Sequence, residues 1–209
     1  MNTDALRARL DAGLAGLGLT LEKEKTDRLL DYLALLSRWN RAYNLTAVDD
    51  PAAMVERHLL DSLSILPWID GSEIVDAGTG AGLPGVPLAI ACPDKHFVLV
   101  DSNGKKVRFL RQVRRELGLD NIEPVQARLE EFVPEAAPDQ VVARALAPLP
   151  RLVEQLGHLL SAGATLLAMK GRLEDDECAA VADAYNVDRI ELNVPGASGA
   201  RSLAILRKS

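Results

Sequence analysis

The sequence is poor in the residues that mark metal sites, disulfides and membrane spans. Its two cysteines, Cys92 and Cys178, lie far apart and form no CxxC pair, so we expect neither a metal site nor a disulfide framework. No apolar run approaches the roughly 18 residues that a membrane helix requires. Residues 1–7 have no apolar run after their charges and do not resemble a secretory signal. These absences predict a cytoplasmic protein that does not contact membranes.

Aromatic residues are also scarce, at 4% of the 209 residues, whereas hydrophobic residues make up 48%. The composition predicts one ordinary globular domain with an aliphatic core and a small appendage. The formal net charge of −6 does not by itself indicate a nucleic-acid-binding protein. A local basic face remains compatible with that total, so the overall sign decides little.

Residues 1–70 have the spacing of helices, and we expect them to form an N-terminal helical cap. Thr20 is the expected N-cap of a long helix, and Asp50-Pro51 begins another, with a capping carboxylate before a proline in the first turn. Residues 71–209 are expected to form the core as one compact unit. The long helix carries a stripe at Leu29, Leu33, Leu36, Asn40 and Tyr43.

After residue 71, short apolar runs alternate with helical segments. This alternation predicts an α/β fold with a mainly parallel, seven-stranded sheet and helices on both faces. The last two strands have no helix between them and are expected to pair as an antiparallel hairpin at one end of the sheet. Strands are expected at 74–75, 97–100, 122–127, 141–143, 164–169, 189–194 and 202–206, and helices at 84–91, 104–117, 149–160 and 174–184.

A glycine-rich loop, residues 76–85, follows the first predicted strand and leads into a helix. Gly78, Gly80 and Gly82 can adopt positive φ and allow a ligand close to the backbone. Ligands of open α/β sheets bind at the carboxyl ends of the strands, so this loop is the expected binding site. Residues 80–85 alone fit the dinucleotide pattern GxGxxG, which keeps an NAD-dependent oxidoreductase open as an alternative.

Two residues favour S-adenosylmethionine over NAD. The carboxylate of Asp76 can meet the ammonium group of an amino-acid-bearing cofactor, whereas it would repel a pyrophosphate. Gly78 extends the motif to DxGxGxG, the methyltransferase form of this loop, in which Thr79 completes the expected cofactor-binding set with Gly80 and Gly82. Asp101 ends the next strand, where it can accept both hydroxyls of an adenosine ribose; it supports both cofactors equally.

Seven segments of the chain together carry a resemblance to a known family: residues 39–46, 57–62, 76–85, 101–111, 125–132, 143–145 and 169–171. On these segments the chain resembles the RsmG (GidB) family, which methylates N7 of a guanosine in small-subunit (16S) ribosomal RNA. The resemblance runs from about Leu30 to the C-terminus. It implies a Rossmann-like class I methyltransferase fold with an N-terminal helical cap and S-adenosyl-L-methionine as cofactor. It also implies cofactor contacts at Gly78, Leu83, Leu129, Glu130 and Arg144.

The chemistry of guanine N7 explains which site residues to expect. N7 carries a free lone pair at neutral pH, so its methylation requires alignment and desolvation more than a general base. Arg144 and Lys170, each at the carboxyl end of a predicted strand, are the expected orienting residues. A structural salt bridge from Arg144 to Asp76 or Glu130 is the alternative. His58 lies in an apolar stripe, which by itself favours a buried, hydrogen-bonded histidine. Because the Arg57-His58 pair belongs to one of the resembling segments, we interpret His58 as helping to close the cofactor cleft.

A basic face on the predicted helix 104–117 is the candidate RNA-binding surface. Apolar residues at helical spacing form the opposite, buried stripe, so the basic residues face solvent. A solvated face that pairs with nearby acids is the alternative. We expect a monomer whose partner is small-subunit ribosomal RNA or the 30S particle; an RNA-binding assembly factor with a vestigial cofactor site is a second hypothesis. The face comprises Lys105, Arg108, Arg111 and Arg115, and the resemblance adds Arg128 and Arg201 as RNA-facing residues.

Overall fold

The structure, a computed structural model, describes residues 3–209 and contains one seven-stranded sheet. The strand order is β3-β2-β1-β4-β5-β7-β6. Strands β1 to β5 are parallel, and β7 runs antiparallel to both β5 and β6, which confirms the mainly parallel sheet and the antiparallel final pair. The strands are β1 (Glu73–Ala77), β2 (His96–Asp101), β3 (Ile122–Gln126), β4 (Gln140–Arg144), β5 (Thr165–Lys170), β6 (Tyr185–Glu191) and β7 (Ser202–Lys208).

Helices cover both faces of this sheet because successive residues of its buried strands point to opposite sides. On β1, Ile74 belongs to the first of two hydrophobic clusters and Val75 to the second. On β4, Val142 belongs to the first cluster and Val141 to the second. A π-helical segment, Val55–Leu60, joins α3 to α4. The helices are α1 (Thr3–Gly16), α2 (Lys23–Tyr43), α3 (Pro51–Met54), α4 (Asp61–Leu63), α5 (Gly85–Ala91), α6 (Gly104–Leu117), α7 (Leu149–Ser161) and α8 (Asp175–Ala179).

The N-terminal helices pack on the same side of the sheet as α5 and α6. Leu10 of α1 and Leu29 of α2 are fully buried and share a cluster with Ile74 of β1 and Leu110 of α6. Side chains from residues 1–70 and from residues 71–209 contribute to one continuous hydrophobic cluster. The division into a cap region and a core region remains a prediction. Residues 1 and 2, which belong to the expected cap and to the opening segment 1–7, lie outside the described residues.

Two elements near the C-terminus have bounds that differ from the expected ones. The helix expected over 174–184 ends at Ala179, and the strand expected over 189–194 begins at Tyr185 and ends at Glu191. Tyr185 is buried in the second cluster and pairs with Lys208 of β7, so tertiary contacts start the strand earlier than its local pattern indicates.

The expected N-cap Thr20 is also wrong, because α2 begins at Lys23 with Glu22 as its N-cap residue. The backbone N–H of Leu19 donates to the carbonyl of Leu14 and closes the end of α1. Thr20 therefore lies in the connection between the two helices. The Asp50 cap is confirmed, since its carboxylate accepts a hydrogen bond from the backbone N–H of Ala53.

A buried hydrogen bond joins the cap to the loop after β1. Tyr32 of α2 is fully buried, and its hydroxyl donates to the carbonyl oxygen of Ala81 at 2.8 Å. Burial raises the pKa of the Tyr32 hydroxyl far above its usual value, so the group stays protonated and remains a donor. The ring also contacts Phe109 of α6, which fixes its orientation.

We expect Tyr32→Phe to lower the free energy of unfolding by about 1 to 3 kcal/mol, because the buried carbonyl of Ala81 then loses this partner. Urea unfolding at neutral pH measures the change. Tyr43→Phe is the matched control: Tyr43 is half-buried, stacks on Trp39 and makes no hydroxyl hydrogen bond within residues 3–209. Equal stability of the Tyr32→Phe variant and the wild-type protein would contradict the expectation.

Candidate cofactor and substrate site

The loop between β1 and α5 is held from below by Asp76. This carboxylate is fully buried, and its Oδ2 accepts hydrogen bonds from the Thr79 hydroxyl and from the backbone N–H of Gly85, both at 2.7 Å. Burial raises the pKa of Asp76 to about 6, against the opposing effects of Thr79, Gly85 and the positive charge of Arg144. In the structure Asp76 lies beneath the loop and bonds the loop itself, and its expected contact with the ammonium group of a cofactor remains a prediction.

The glycines of the loop serve two different needs. Gly78, Gly80 and Gly82 have φ of 68°, 62° and 96°, in the left-handed region where a side chain is strained. Gly85 does not need positive φ. A Cβ atom there would lie 2.5 Å from Oδ2 of Asp76 and 2.4 Å from Cδ2 of Leu99, so Gly85 leaves room for the buried carboxylate. Sequence reasoning counted Gly85 only as part of a spacing pattern.

Asp101, at the end of β2, also supports the loop. Its Oδ2 accepts from the backbone N–H of Gly80 at 3.0 Å and from Nζ of Lys106 at 3.2 Å. Its Oδ1 accepts from the backbone N–H of Asn103 at 2.8 Å. Both oxygens are therefore engaged within the chain, and the assignment of Asp101 to the ribose hydroxyls remains a prediction.

A cavity of about 420 Å³ opens at the carboxyl ends of β1, β4 and β5. It brings together residues that the sequence places far apart, from the glycine loop, the strand ends and the cap. Five of the expected cofactor-binding residues do not line it: Asp76, Gly82, Asp101, Leu129 and Glu130. The expected site residues that do line it are Gly78, Thr79, Gly80, Leu83, Arg144, Lys170 and Arg201.

Leu129 and Glu130 occupy a 3-10 turn, Leu129–Glu131, after β3. Leu129 is buried in the second hydrophobic cluster and so packs in the core. Glu130 is exposed and accepts a hydrogen bond from Gln155 of α7, a contact that helps to lower the pKa of its carboxyl group. Contacts of these two residues with an adenine remain a prediction.

Arg144, at the end of β4, is held by the cap. Its Nη1 donates to Oδ2 of Asp61 at 2.9 Å and to the carbonyl oxygen of Arg57 at 3.0 Å. The alternative salt bridge was expected to involve Asp76 or Glu130; the observed partner is Asp61, which sequence reasoning did not single out. Asp61 lay within the resembling segment 57–62, and that was the only available signal for it.

Arg201 lies in the cavity wall, and its expected contact with RNA remains a prediction. Its Nε donates to Oδ1 of Asp61 at 3.0 Å, and its Nη1 donates to the carbonyl oxygens of Ser198 and Ala200. Asp61 thus accepts from two arginines at once. A guanidinium fixed in this way lies inside the site and does not extend from the surface.

Lys170, at the end of β5, forms an ion pair with Glu177 at 2.8 Å and donates to the carbonyl oxygen of Ala147 at 3.1 Å. Glu177 also accepts from the backbone N–H of Leu149 at the start of α7. Lys170 therefore ties the loop after β4 to α8 while it lines the cavity. Its expected orienting role remains a prediction.

His58 and Thr46 form the cap side of the cavity. Nε2 of His58 lies 2.8 Å from the Thr46 hydroxyl, and the backbone N–H of Thr46 donates to Oδ1 of Asn40 at 2.8 Å. Burial lowers the pKa of His58 to about 4, so the imidazole is neutral at physiological pH. A neutral imidazole can keep the segment 45–48 in place without adding charge to the cavity.

The basic face of α6 is present as expected. Asn103 caps the helix by accepting a hydrogen bond from the backbone N–H of Lys105. Phe109 is among the buried residues of the helix. Within residues 3–209, Arg108 and Arg111 make no ion pair, so pairing with nearby acids does not explain this face. Its RNA contacts remain a prediction. The expected residues Lys105, Arg108, Arg111 and Arg115 are all exposed, as are Arg114 of the same helix and Arg128.

Residues 3–209 contain no group of three or more His, Cys, Asp or Glu side chains that could hold a metal ion. None of the helices in that range is both long enough and apolar enough to span a membrane.

Solved structures with a similar fold include several methyltransferases. Magnesium protoporphyrin IX methyltransferase from Synechocystis PCC 6803 with bound SAM has a TM-score of 0.61 at 19% identity, covering 90% of this chain and 99% of that one. The N-methyltransferase NodS from Bradyrhizobium japonicum in complex with S-adenosyl-L-homocysteine has a TM-score of 0.57 at 16% identity, with coverages of 83% and 98%. At these identities the similarity shows the fold, a Rossmann-like methyltransferase fold.

Similarity in sequence is much stronger. A protein from Legionella pneumophila named ribosomal RNA small subunit methyltransferase G is 47% identical over 204 residues, 98% of this chain and 96% of that protein. A protein of the same name from Chromohalobacter salexigens is 51% identical over 208 residues, with coverages of 99% and 100%. The family model GidB, rRNA small subunit methyltransferase G, matches residues 25–204. The chain belongs to this family of small-subunit ribosomal RNA methyltransferases.

Proposed function

We propose that this protein transfers the methyl group of S-adenosylmethionine to N7 of a guanosine in small-subunit ribosomal RNA. One observation carries the proposal. In a member of this family, a loop whose glycines have left-handed φ lines the same cavity as Arg144, Lys170 and Arg201. The family's name supports the RNA substrate, and the resemblance supports the choice of N7. We further propose a monomer that acts on 30S particles or their RNA in the cytoplasm.

The residues of the loop fit this cofactor. At Gly80 the space that a Cβ atom would enter is open, with only the carbonyl oxygen of Gly78 within 4 Å, so the loop presents bare backbone. Gly78, Thr79 and Leu83 would hold the methionine part, and Asp101 with Leu129 and Glu130 would hold the adenosine part. Asp76 supports the loop from below. When bound, S-adenosylmethionine supplies an electrophilic methyl group on a sulfonium.

The groups around the cavity suit a reaction that removes no proton. The lone pair of guanine N7 forms the new bond to the methyl carbon, and the electrons of the broken carbon–sulfur bond remain on sulfur. The positive charge passes to the guanine ring, so a general base is not required. Asp61 is engaged by two arginines, and His58 is bonded to Thr46. Arg144 and Lys170 then orient the reactants.

The basic face of α6 (Lys105, Arg108, Arg111 and Arg115) supplies the contacts to RNA phosphates in this proposal. The chain has a net charge of −6, so a surface that attracts RNA must be local. Arg128, exposed after β3, extends the basic surface. Binding through such residues releases counterions and therefore weakens as salt rises.

We expect Gly78→Ala to weaken the binding of S-adenosylmethionine at least tenfold. The position has φ of 68°, and the new Cβ would lie 2.7 Å from Cδ1 of Leu146. Gly118→Ala is the matched control, since Gly118 has φ of 61° with nothing within 4 Å of a Cβ. Both variants carry a backbone strain of about 1 kcal/mol, and only the first should lose the cofactor.

Isothermal titration calorimetry measures the affinity of the wild-type protein and of both variants for S-adenosylmethionine, and that of the wild-type protein for NAD. Wild-type binding of NAD in preference to S-adenosylmethionine would establish the oxidoreductase alternative. Full complementation of a deletion strain by a Gly78→Ala variant that no longer binds the cofactor would favour the assembly-factor hypothesis.

Replacement of the target guanosine by 7-deazaguanosine should abolish methyl transfer, because the analogue has carbon in place of N7 and no lone pair there. The modified nucleotide is first mapped on natural small-subunit particles with labelled S-adenosylmethionine. Particles assembled on RNA with the analogue at that position are then assayed. Label retained on the 7-deazaguanosine nucleotide would place the methyl group on another atom and refute the N7 assignment.

The triple variant Lys105→Ala, Arg108→Ala, Arg111→Ala should bind RNA more weakly and with a shallower salt dependence. Each lost phosphate contact lowers the slope of log K against log salt by about 0.9 for duplex and about 0.7 for single strands. Cofactor affinity should not change. The matched control removes three positive charges at the opposite edge of the sheet, with Arg189→Ala, Arg207→Ala and Lys208→Ala. An equal loss of RNA affinity in both variants would show that total charge, and not this face, governs binding.

A further inference from the structure

The most informative residue outside the expected site is Asp61, which begins α4 directly after the π-helical segment Val55–Leu60. In a regular α-helix the backbone N–H of Asp61 would donate to the carbonyl of Arg57. Here it donates to the carbonyls of Glu56 and His58. The carbonyl of Arg57 instead accepts from Nη1 of Arg144 at 3.0 Å. The π turn thus gives Arg144 an acceptor that a regular helix would have used internally.

The Asp61 side chain supplies the remaining acceptors. It is only 8% exposed, its Oδ2 accepts from Nη1 of Arg144 at 2.9 Å, and its Oδ1 accepts from Nε of Arg201 at 3.0 Å. Arg144 ends β4, whereas Arg201 immediately precedes β7. One carboxylate of the cap therefore fixes two arginines from separate parts of the sheet in the same cavity wall.

Both arginines keep donors that the protein does not use. Nε and Nη2 of Arg144 and Nη2 of Arg201 make no hydrogen bond within the described residues 3–209. Two guanidinium charges face a single carboxylate, which leaves one net positive charge at this wall. Fixed planar donors with surplus positive charge suit an oxyanion, which guanidinium groups bind in paired geometry.

We propose that Asp61 is a positioning residue that aligns Arg144 and Arg201 so that their unused N–H groups bind an oxyanion of a bound ligand. The inference rests on the proposed function, which supplies two sources for such a group. One is the carboxylate of S-adenosylmethionine, and the other is a phosphate of the RNA. Asp61 acts through the arginines and does not itself touch the ligand.

Asp61→Asn tests the proposal because it keeps the shape of the side chain and removes its charge. The amide oxygen can still accept from one arginine, but the amide NH₂ then faces the other. If the oxyanion is the cofactor carboxylate, affinity for S-adenosylmethionine falls at least tenfold, while affinity for decarboxylated S-adenosylmethionine is unchanged. If it is a phosphate, KM for RNA rises at least tenfold with a shallower salt dependence, and affinity for S-adenosylmethionine is unchanged.

Two results would overturn the proposal. The first is a folded Asp61→Asn protein with wild-type cofactor affinity and wild-type KM for RNA. The second is an equal loss of affinity for the two cofactor forms, which indicates a general structural effect. Asp188→Asn is the matched control, since Asp188 pairs with Arg207 at 2.7 Å on the exposed sheet edge. A wild-type protein without methyltransferase activity would instead refute the proposed function, so the two failures are distinguishable.

A double-mutant cycle with Arg201→Gln separates positioning from simple loss of stability. If Asp61 acts through Arg201, the effects of the two substitutions on ligand affinity are not additive, and the double variant resembles the worse single variant. Additive effects would contradict this coupling. Removing one partner of a buried pair is destabilising, so thermal melting of each variant is recorded first. Should Asp61→Asn unfold at the assay temperature, Arg201→Gln alone must show the same selective loss, and its absence refutes the proposal.

Discussion

The site depends first on one buried carboxylate, that of Asp76. Its Oδ2 bonds the Thr79 hydroxyl and the Gly85 amide, and so holds the two halves of the loop to the end of β1. Burial raises the pKa of Asp76 from 3.8 to about 6, so desolvation outweighs these hydrogen bonds. The contribution of this one carboxyl group to the free energy of unfolding is therefore greatest below pH 3.8 and is lost as pH rises through 6. At neutral pH the desolvation of this carboxylate lowers the free energy of unfolding by on the order of 3 kcal/mol, while its hydrogen bonds order the loop.

The rest of the loop is fixed by side chains from two other elements. Asp101 of β2 accepts from the Gly80 amide, and Tyr32 of α2 donates to the Ala81 carbonyl. Each of these contacts satisfies a backbone group that a bare glycine loop would otherwise leave unpaired away from water. The cap is therefore part of the site's construction as well as a cover over it, and through Asp61 it also holds the arginines at the ends of β4 and β7.

Local signals explain what the sequence predicts well. The bounds of α6 were correct because Asn103 caps its start and Gly118, in the left-handed region, ends it. The strands β1 and β2 are short apolar runs buried on both faces, and such a run can be predicted from the local sequence without knowing which strands pair with it. The edge strand β6 was misplaced because its bounds come from pairing with β7. Asp61 was missed because its partners lie 83 and 140 residues away, and only the fold brings them together.

The structure also separates two kinds of positive charge that the sequence presents alike. Arg144 and Arg201 are held by a carboxylate and by backbone carbonyls, so their remaining donors have fixed directions and lose little freedom on binding. Arg108 and Arg111 on α6 are exposed, without ion pairs among the described residues, and can follow a phosphate backbone whose path varies. At physiological ionic strength, salt screens exposed charges such as these over about 8 Å, whereas it screens the half-buried Arg144 and Arg201 less. Salt should therefore weaken the capture of RNA much more than the alignment of the reacting groups.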